Sequence, residues 1–323
     1  MALGEFELIR KYFTRPATSA VLGVGDDCAL LQPAPGMQWA VSCDMLVEGR
    51  HFLSTVAPER LGHKALAVNL SDLAACGAKP VAFTLALAMP RADEPFVAGL
   101  AQGLFELADQ HGIELVGGDT TAGPLNLCIT VMGEVPAGHA LLRSGARPGD
   151  RLWVSHPIGG GIGDARLALE VFRGQVALDG GALERVRQAM ELPQPRVALG
   201  LALRGLASAA IDLSDGLLGD LAHVLARSGV GALVHADALP LSADLARLPV
   251  ELRRQCTLAG GDDYELLFTA APAADLAVRQ AAAQAGVAVS PIGEISAEPG
   301  LRLRDAQGQA LALAMPGFDH FVS

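Results

Sequence analysis

Lysine is scarce in this chain: Lys11, Lys64 and Lys79 stand against twenty-one arginines. No Gly-x-x-x-x-Gly-Lys-Ser/Thr occurs, which excludes a P-loop nucleotide site. Aromatic residues make up only 4% of the sequence, so its core has to be built mainly from Ala, Leu and Val. The five cysteines, Cys28, Cys43, Cys76, Cys128 and Cys256, are odd in number and form no Cys-x-x-Cys. They are read as unpaired thiols in a reducing cytoplasm, with Cys28 and Cys76 in apolar surroundings as packing residues. The first residues, Met1-Ala2-Leu3-Gly4-Glu5-Phe6-Glu7, carry acids where a signal peptide would be basic. The apolar run from Pro80 to Pro90 is too short to span a bilayer. Basic charge is also in deficit: the net charge of −11 argues against a nucleic-acid or anionic-membrane surface. A soluble cytoplasmic protein is expected.

What the chain does have is length and apolar content. Its 323 residues, 51% of them hydrophobic, suit two domains. Residues 38–43 read as a strand ending at Asp44, 58–76 and 94–111 as helices, and 81–89, 113–116 and 125–135 as strands. The polar, proline-punctuated segment Ser144-Gly145-Ala146-Arg147-Pro148-Gly149-Asp150 is the natural break, and we divide the chain into residues 1–140 and 141–323. Beyond it the alternation restarts. A strand over 151–155 leads to the glycine loop 159–163 and a helix to about Phe172. Then follow helix 195–207, strand 209–212, helix 216–227, strand 230–236, helix 273–285 and strand 287–295. The fold class is α/β, with loops at the strand ends.

Six short segments join Asp to Gly, Ser or Asn: Gly25-Asp26-Asp27, Cys43-Asp44, Asn69-Leu70-Ser71-Asp72, Gly117-Gly118-Asp119-Thr120-Thr121, Asp212-Leu213-Ser214-Asp215-Gly216 and Gly260-Gly261-Asp262-Asp263-Tyr264-Glu265. Carboxylates are hard oxygen ligands suited to Mg²⁺, and glycines let backbone amides approach a phosphate. Each segment also has an ordinary reading. Gly-Asp pairs make turns, and Ser214 or Asp215 would serve as the N-cap of the following helix. An Asp or Asn on a helix is most often simply solvated, although its cost inside helix 58–76 suits an inward-facing ligand. Arg143 suits a phosphate clamp or a plain surface position, and His51, beside Arg50, reads first as structural. The weak glycine loop at 159–163 is equally compatible with a phosphate cradle.

In their joint order these motifs, together with Arg-Ser-Gly-Ala-Arg-Pro-Gly-Asp, the Asp44–Phe52 segment, and the two ends Gly4-Glu5-Phe6 and Gly317-Phe318-Asp319-His320-Phe321, resemble the thiamine-monophosphate kinase family. That family belongs to the ATP-binding superfamily typified by aminoimidazole ribonucleotide synthetase, and the resemblance covers nearly the whole chain. It implies ATP- and Mg²⁺-dependent phosphorylation of thiamine monophosphate to thiamine diphosphate. It also implies a two-domain fold: an N-terminal α/β domain whose sheet pairs with its twin in a homodimer, and a C-terminal α/β domain over the nucleotide. Carried over residue by residue, Asp27, Asp44, Asp72, Asp119, Asp212 and Asp215 are implied Mg²⁺ ligands, with Ser42 and the Cys43 backbone as helpers. Gly118, Asp119, Arg143 and Ser214 are implied ATP contacts, and His51, Asp262 and Phe318 are implied contacts to the thiamine substrate.

The chain departs from the family pattern at Cys43 and Met45, where threonines are usual, at Asp262 for Glu, at Phe318 for Tyr, and in His156-Pro157-Ile158-Gly159. The readings that compete are a sister synthetase and a nucleotide-binding regulator without turnover. The first thiol, Cys28, falls after Gly-Asp-Asp rather than near the start as in selenophosphate synthetases. The chain ends Phe321-Val322-Ser323, without the final cysteine of the hydrogenase-maturation relatives. Six acid-bearing segments are also more than a mere binder needs.

Overall fold

The computed structural model describes residues 4–25 and 28–312. The chain folds as two compact units, residues 1–73 with 78–138, and residues 74–77 with 139–323.

The first unit opens with the short helix α1 (Glu5–Leu8), continued as a wider turn over Ile9–Phe13. Then come β1 (Met37–Val47), α2 (Pro58–Ala75), β2 (Lys79–Met89), α3 (Glu94–His111), β3 (Glu114–Ala122) and β4 (Asn126–Pro136). Helix α3 starts where expected because the Asp93 carboxylate caps the Phe96 amide, and it stops where Gly112 turns left-handed. Helix α2 carries apolar residues on most of its circumference, and Leu61, Ala65, Leu66, Leu70 and Leu73 are at most 1% exposed. With few aromatics to fill space, α2 and α3 close in backbone to backbone: a Cβ on Gly103 would lie 1.8 Å from the Glu59 carbonyl oxygen.

The four strands form one sheet in the order β1-β4-β2-β3, with only β2 and β3 parallel. One face buries Leu46, Leu85, Leu87, Leu127, Ile129 and Val131, while the other leaves Val41 62% and Met45 53% exposed.

Two strands run further than the sequence suggests. Strand β1 does not stop at Asp44 but continues to Val47, paired throughout with β4. Strand β3 does not end before the glycines: Gly117 through Ala122 pair with Thr84 through Met89 of β2, after a register shift at Phe83/Thr84. The β-branched Thr120 and Thr121 extend the strand, and the shift leaves Val116 as the extra residue just ahead of the paired double glycine.

The second unit contains β5 (Arg151–His156), α4 (Asp164–Phe172), α5 (Gly180–Glu191), α6 (Val197–Leu203), β6 (Ala209–Asp212), α7 (Leu217–Ser228), β7 (Gly231–His235), α8 (Val250–Ala259), β8 (Leu266–Ala270), α9 (Asp275–Gln284), β9 (Ala288–Ser296), β10 (Gly300–Arg304) and β11 (Ala310–Leu311). Its mixed sheet has the order β11-β10-β7-β9-β5-β8-β6. Val154, Ile211, Leu213, Leu217, Leu221, Val234, Leu267 and Ile292 share its core. Trp153, fully buried, stacks on Phe268 with ring centroids 6.4 Å apart.

Helix 195–207 shortens to α6, because Arg204 takes an extended backbone. Helices α5 and α8 and strands β8 and β10 are not anticipated by the sequence patterns. Arginines and glutamates dilute the apolar spacing of the two helices, and β8 is an unbroken apolar run without the alternation that marks a half-exposed strand.

Candidate active site

Ser42 and Asp44, two apart on β1, turn to the same side of the strand and meet residues three apart on α2. Ser42 Oγ donates to Asp72 Oδ2, and the Asp44 amide donates to Asn69 Oδ1 at 3.0 Å. Asn69 is fixed in turn, since its Nδ2 donates to the Ala65 carbonyl at 2.9 Å. Between them Cys43 faces the opposite side, where its Sγ lies 3.3 Å from Cys128 Sγ. Burial and the neighbouring Cys43 push the Cys128 thiol up to about 11. The two soft sulfurs are thereby turned away from the side on which Ser42 and Asp44 stand.

Gly118 and Asp119 lie inside β3. Gly118 has φ 154°, and a Cβ there would sit 2.0 Å from the Leu85 carbonyl oxygen of β2, so no other residue fits without moving a strand. Beside them opens a small cleft of about 50 Å³, lined by Ile9, Phe13, Val24, Leu85, Leu115 and the Gly117–Thr120 stretch. It joins apolar walls to a few polar groups, as small-molecule sites do. Register places Asp44, Ile129, Leu85 and Gly118 in one row across the sheet. Asp44 and Asp119 therefore belong to opposite edge strands, about 14 Å apart at three strand spacings.

His51 sits in the turn after β1, where its Nδ1 accepts the Val47 amide at 3.0 Å. That bond leaves the proton of the neutral ring on Nε2. The Lys64 ammonium, 2% exposed, donates to the His51 carbonyl at 3.1 Å and ties this turn to α2. Glu114, at the start of β3, accepts from Ser19 N at 2.6 Å, from Thr18 Oγ1 at 2.8 Å and from Ser19 Oγ. Desolvation raises its pKa, but the hydrogen bonds from Ser19 and Thr18 outweigh it and hold the carboxyl at about 2. This anchor fixes the segment leading toward Asp26 and Asp27.

In the second unit Asp212 ends β6 and is 4% exposed. The loop it opens runs against the glycine-aspartate segment. The Leu213 amide donates to the Glu265 carbonyl, Tyr264 N to the Leu213 carbonyl and Asp262 N to the Ser214 carbonyl, at 2.8 to 2.9 Å. Asp262 and Tyr264 hold φ of 70° and 50°, an uncommon region for residues other than glycine, and the Tyr264 hydroxyl donates to Asp262 Oδ1 at 3.0 Å. Neither Ser214 nor Asp215 caps α7, because Gly216 occupies the cap position. The amides of Ser214 and Asp215 instead donate to Asp220 Oδ2, each at 3.2 Å. Desolvation and the neighbouring Asp215 push Asp220 up to about 7, against the amides of residues 214 to 216.

Glu265 is buried between Ser155 Oγ and the forked Arg196 guanidinium. Asp263 Oδ1 accepts the Gly163 amide at 2.8 Å, so one end of the glycine loop is held by a carboxylate rather than left open for a phosphate. Desolvation lifts the Asp263 carboxyl well above the ordinary range. Arg143 is exposed, with its carbonyl accepting from Ser228 Oγ at 3.2 Å.

The structure thus groups Ser42, Asp44 and Asp72 with Asn69, places Gly118 and Asp119 on another strand, and groups Asp212, Ser214 and Asp215 with Asp262. Asp27 and Phe318 lie outside the described residues. Among the described residues no three His, Cys, Asp or Glu side chains stand together as a metal cluster. The donors on β1 and α2 are oxygens, which fits a hard cation and not a soft one. Cys28 does not pack inside but is exposed, and Cys256 is the buried thiol. Sequence reasoning missed Glu114, Asp220 and the Arg196–Glu265 pair, whose partners show no fixed local spacing.

Comparison with known proteins adds a family. Residues 25–135 match the AIR synthase related protein N-terminal domain, and residues 147–306 its C-terminal domain. A thiamine-monophosphate kinase of Salmonella typhimurium is 44% identical, and one of Bacillus subtilis 33%, each with at least 99% of both chains covered. Among solved structures, thiamine-monophosphate kinase from Stenotrophomonas maltophilia superposes with a TM-score of 0.85 at 44% identity, covering 96% of this chain and 99% of that one. AaThiL complexed with AMPPCP and TMP gives a TM-score of 0.76 at 27% identity, covering 99% and 97%. No helix among the described residues is long and apolar enough to cross a membrane.

Proposed function

The chain belongs to the AIR synthase related family, among its thiamine-monophosphate kinases, and from that premise we propose how its residues perform the ATP-dependent phosphorylation of thiamine monophosphate to thiamine diphosphate. The observation that carries the assignment is the hydrogen-bonded face shared by β1 and α2, where Ser42 meets Asp72 and Asp44 meets Asn69.

Asp44 and Asp72, with Ser42, are the residues that would hold Mg²⁺ on this face. Asp27 and Asp119 are further proposed ligands, as is the Cys43 backbone. Asp212 and Asp215 are the ligands proposed on the second unit. The acceptor is a phosphate monoester with a second pKa of about 6, so its oxygen is already anionic at neutral pH. No side chain has to remove a proton, which suits a site rich in Asp and without a general base. When bound, Mg²⁺ would neutralise the repulsion between the two phosphates and favour in-line transfer.

The chain's own task is binding and orientation. The cleft beside Gly118 and Asp119 would take part of ATP, while the missing Cβ of Gly118 lets β3 lie against the Leu85 carbonyl of β2. Ser214 would meet ATP through its hydroxyl, because its amide is already bonded to Asp220. Arg143, which is exposed, is the proposed phosphate clamp. His51 would meet thiamine monophosphate through the Nε2 side of its ring. Asp262 is an acid proposed to contact the substrate, and Phe318 the ring proposed to stack on it.

A homodimer is the proposed assembly. The exposed sheet face with Val41 and Met45 suits burial against a second copy. One chain keeps Asp44 and Asp119 on opposite edge strands and, by register, on opposite faces of the sheet, and the proposed role of the second copy is to bring one chain's Asp119 beside the other's Asp44.

Measuring thiamine diphosphate formation by D44N, D72N, D119N, D212N and D215N across Mg²⁺ concentration tests the assignment. Folded proteins that lose most of their turnover support it. Near-normal turnover in D44N, D72N and D119N would overturn the metal-holding role.

A further inference from the structure

We propose that Asp220 is a positioning residue: its carboxylate fills the amide pocket ahead of α7 and so fixes the loop that presents Asp212 and Asp215 to the metal. The helix begins at Leu217 with no side-chain cap, so its leading amides need an acceptor. A helix N-terminus with free amides is an anion site, and in a phosphate-transfer enzyme it would invite a nucleotide phosphate. Here an acid of the first turn reaches back to the two amides that precede the cap residue Gly216. Asp220 Oδ2 accepts both the Ser214 and Asp215 amides, and Asp220 N donates back to the Gly216 carbonyl at 3.0 Å.

The backbone of the loop is held almost completely. The Leu213 amide goes to Glu265, the Leu213 carbonyl to Tyr264, the Ser214 carbonyl to Asp262, and the next two amides to Asp220. Successive main-chain groups are satisfied alternately by the 262–265 segment and by Asp220. Asp220 itself is 3% exposed, and a carboxylate is expensive to bury unless it is well hydrogen-bonded. What it secures is a loop whose Ser214 and Asp215 amides are held in one arrangement. A cation would then be met by side chains carried on a loop already in place.

The inference rests on the proposal that Asp212 and Asp215 bind the metal, so the test carries D215N as a reference. Both amides converge on one oxygen, which an Asn can also supply. D220A should therefore weaken binding of Mn²⁺, used as the probe ion with a non-hydrolysable ATP analogue and read by electron paramagnetic resonance, by about tenfold or more. D220N should stay within about threefold of wild type, since it keeps the acceptor oxygen. Normal Mn²⁺ binding by D220A alongside weakened binding by D215N would overturn the positioning role. Normal binding by D215N would instead overturn the metal assignment of this loop.

Should D220A not fold, amide hydrogen exchange on the wild-type protein decides the matter. The Ser214 and Asp215 amides should be protected before any ion is added, and exchange at open-loop rates would contradict the proposal.

Discussion

Ser42 on β1 and Asp72 on α2 are joined by a hydrogen bond from the Ser42 hydroxyl to the Asp72 carboxylate. The bond helps to orient the Asp72 carboxylate and sets the Ser42 hydroxyl beside it. S42A removes the orienting hydroxyl and leaves the acid. We expect the Mg²⁺ concentration for half-maximal rate to rise by about tenfold, while stability falls by only about 1 kcal/mol. An unchanged Mg²⁺ dependence would show that the bond is only structural.

Asp44 and Asp119 stand on opposite edge strands of one sheet. If a second copy joins them, two inactive variants should rescue each other. In mixed D44N and D119N protein, half the dimers are heterodimers, each with one intact pair of acids. Mixing with subunit exchange should then restore about a quarter of wild-type turnover. Proven exchange without recovered turnover would show that the two acids act within one chain.

Gly118 leaves no room for a side chain, the Leu85 carbonyl oxygen being 2.0 Å from where a Cβ would stand. G118A should lower stability by about 1–3 kcal/mol, visible as a lower melting temperature, and should lower activity as well because β2 or β3 has to shift. A melting temperature equal to wild type would show that the strands can part without cost.

Glu114 gives a prediction about pH. Its folded pKa of about 2 lies below the ordinary carboxylate value. Its contribution to stability is therefore fully present above about pH 4.5 and lost as pH falls from there toward 2. E114Q should melt below wild type at pH 7, and the gap should narrow below about pH 4.5. A gap that stays constant down to pH 3 would show that the charge plays no part in binding Ser19 and Thr18.

Much of this arrangement is legible in the amino-acid sequence. The helical spacing of Leu61, Ala65 and Val68, with Asn69 and Asp72 turned inward, places two site residues on α2, and the alternation of strands and helices gives the fold class. Strand ends are harder to read. Asp44 and the Gly117–Asp119 stretch resemble loop residues locally, yet pairing with β4 and β2 carries the ladder through them. Asp220 reads as an ordinary polar position on α7, and only the folded loop brings the Ser214 and Asp215 amides to it. Glu114 and Ser19 lie 95 residues apart, Arg196 and Glu265 69 apart, and no local pattern encodes a partner at such a distance.

The most direct measurement is product formation from ATP with thiamine monophosphate, and with free thiamine as the control acceptor, with and without Mg²⁺. Equimolar ADP and thiamine diphosphate are expected from the monophosphate alone, and only when Mg²⁺ is present. ATP binding without product, or phosphorylation of free thiamine at a similar rate, would contradict the proposed reaction.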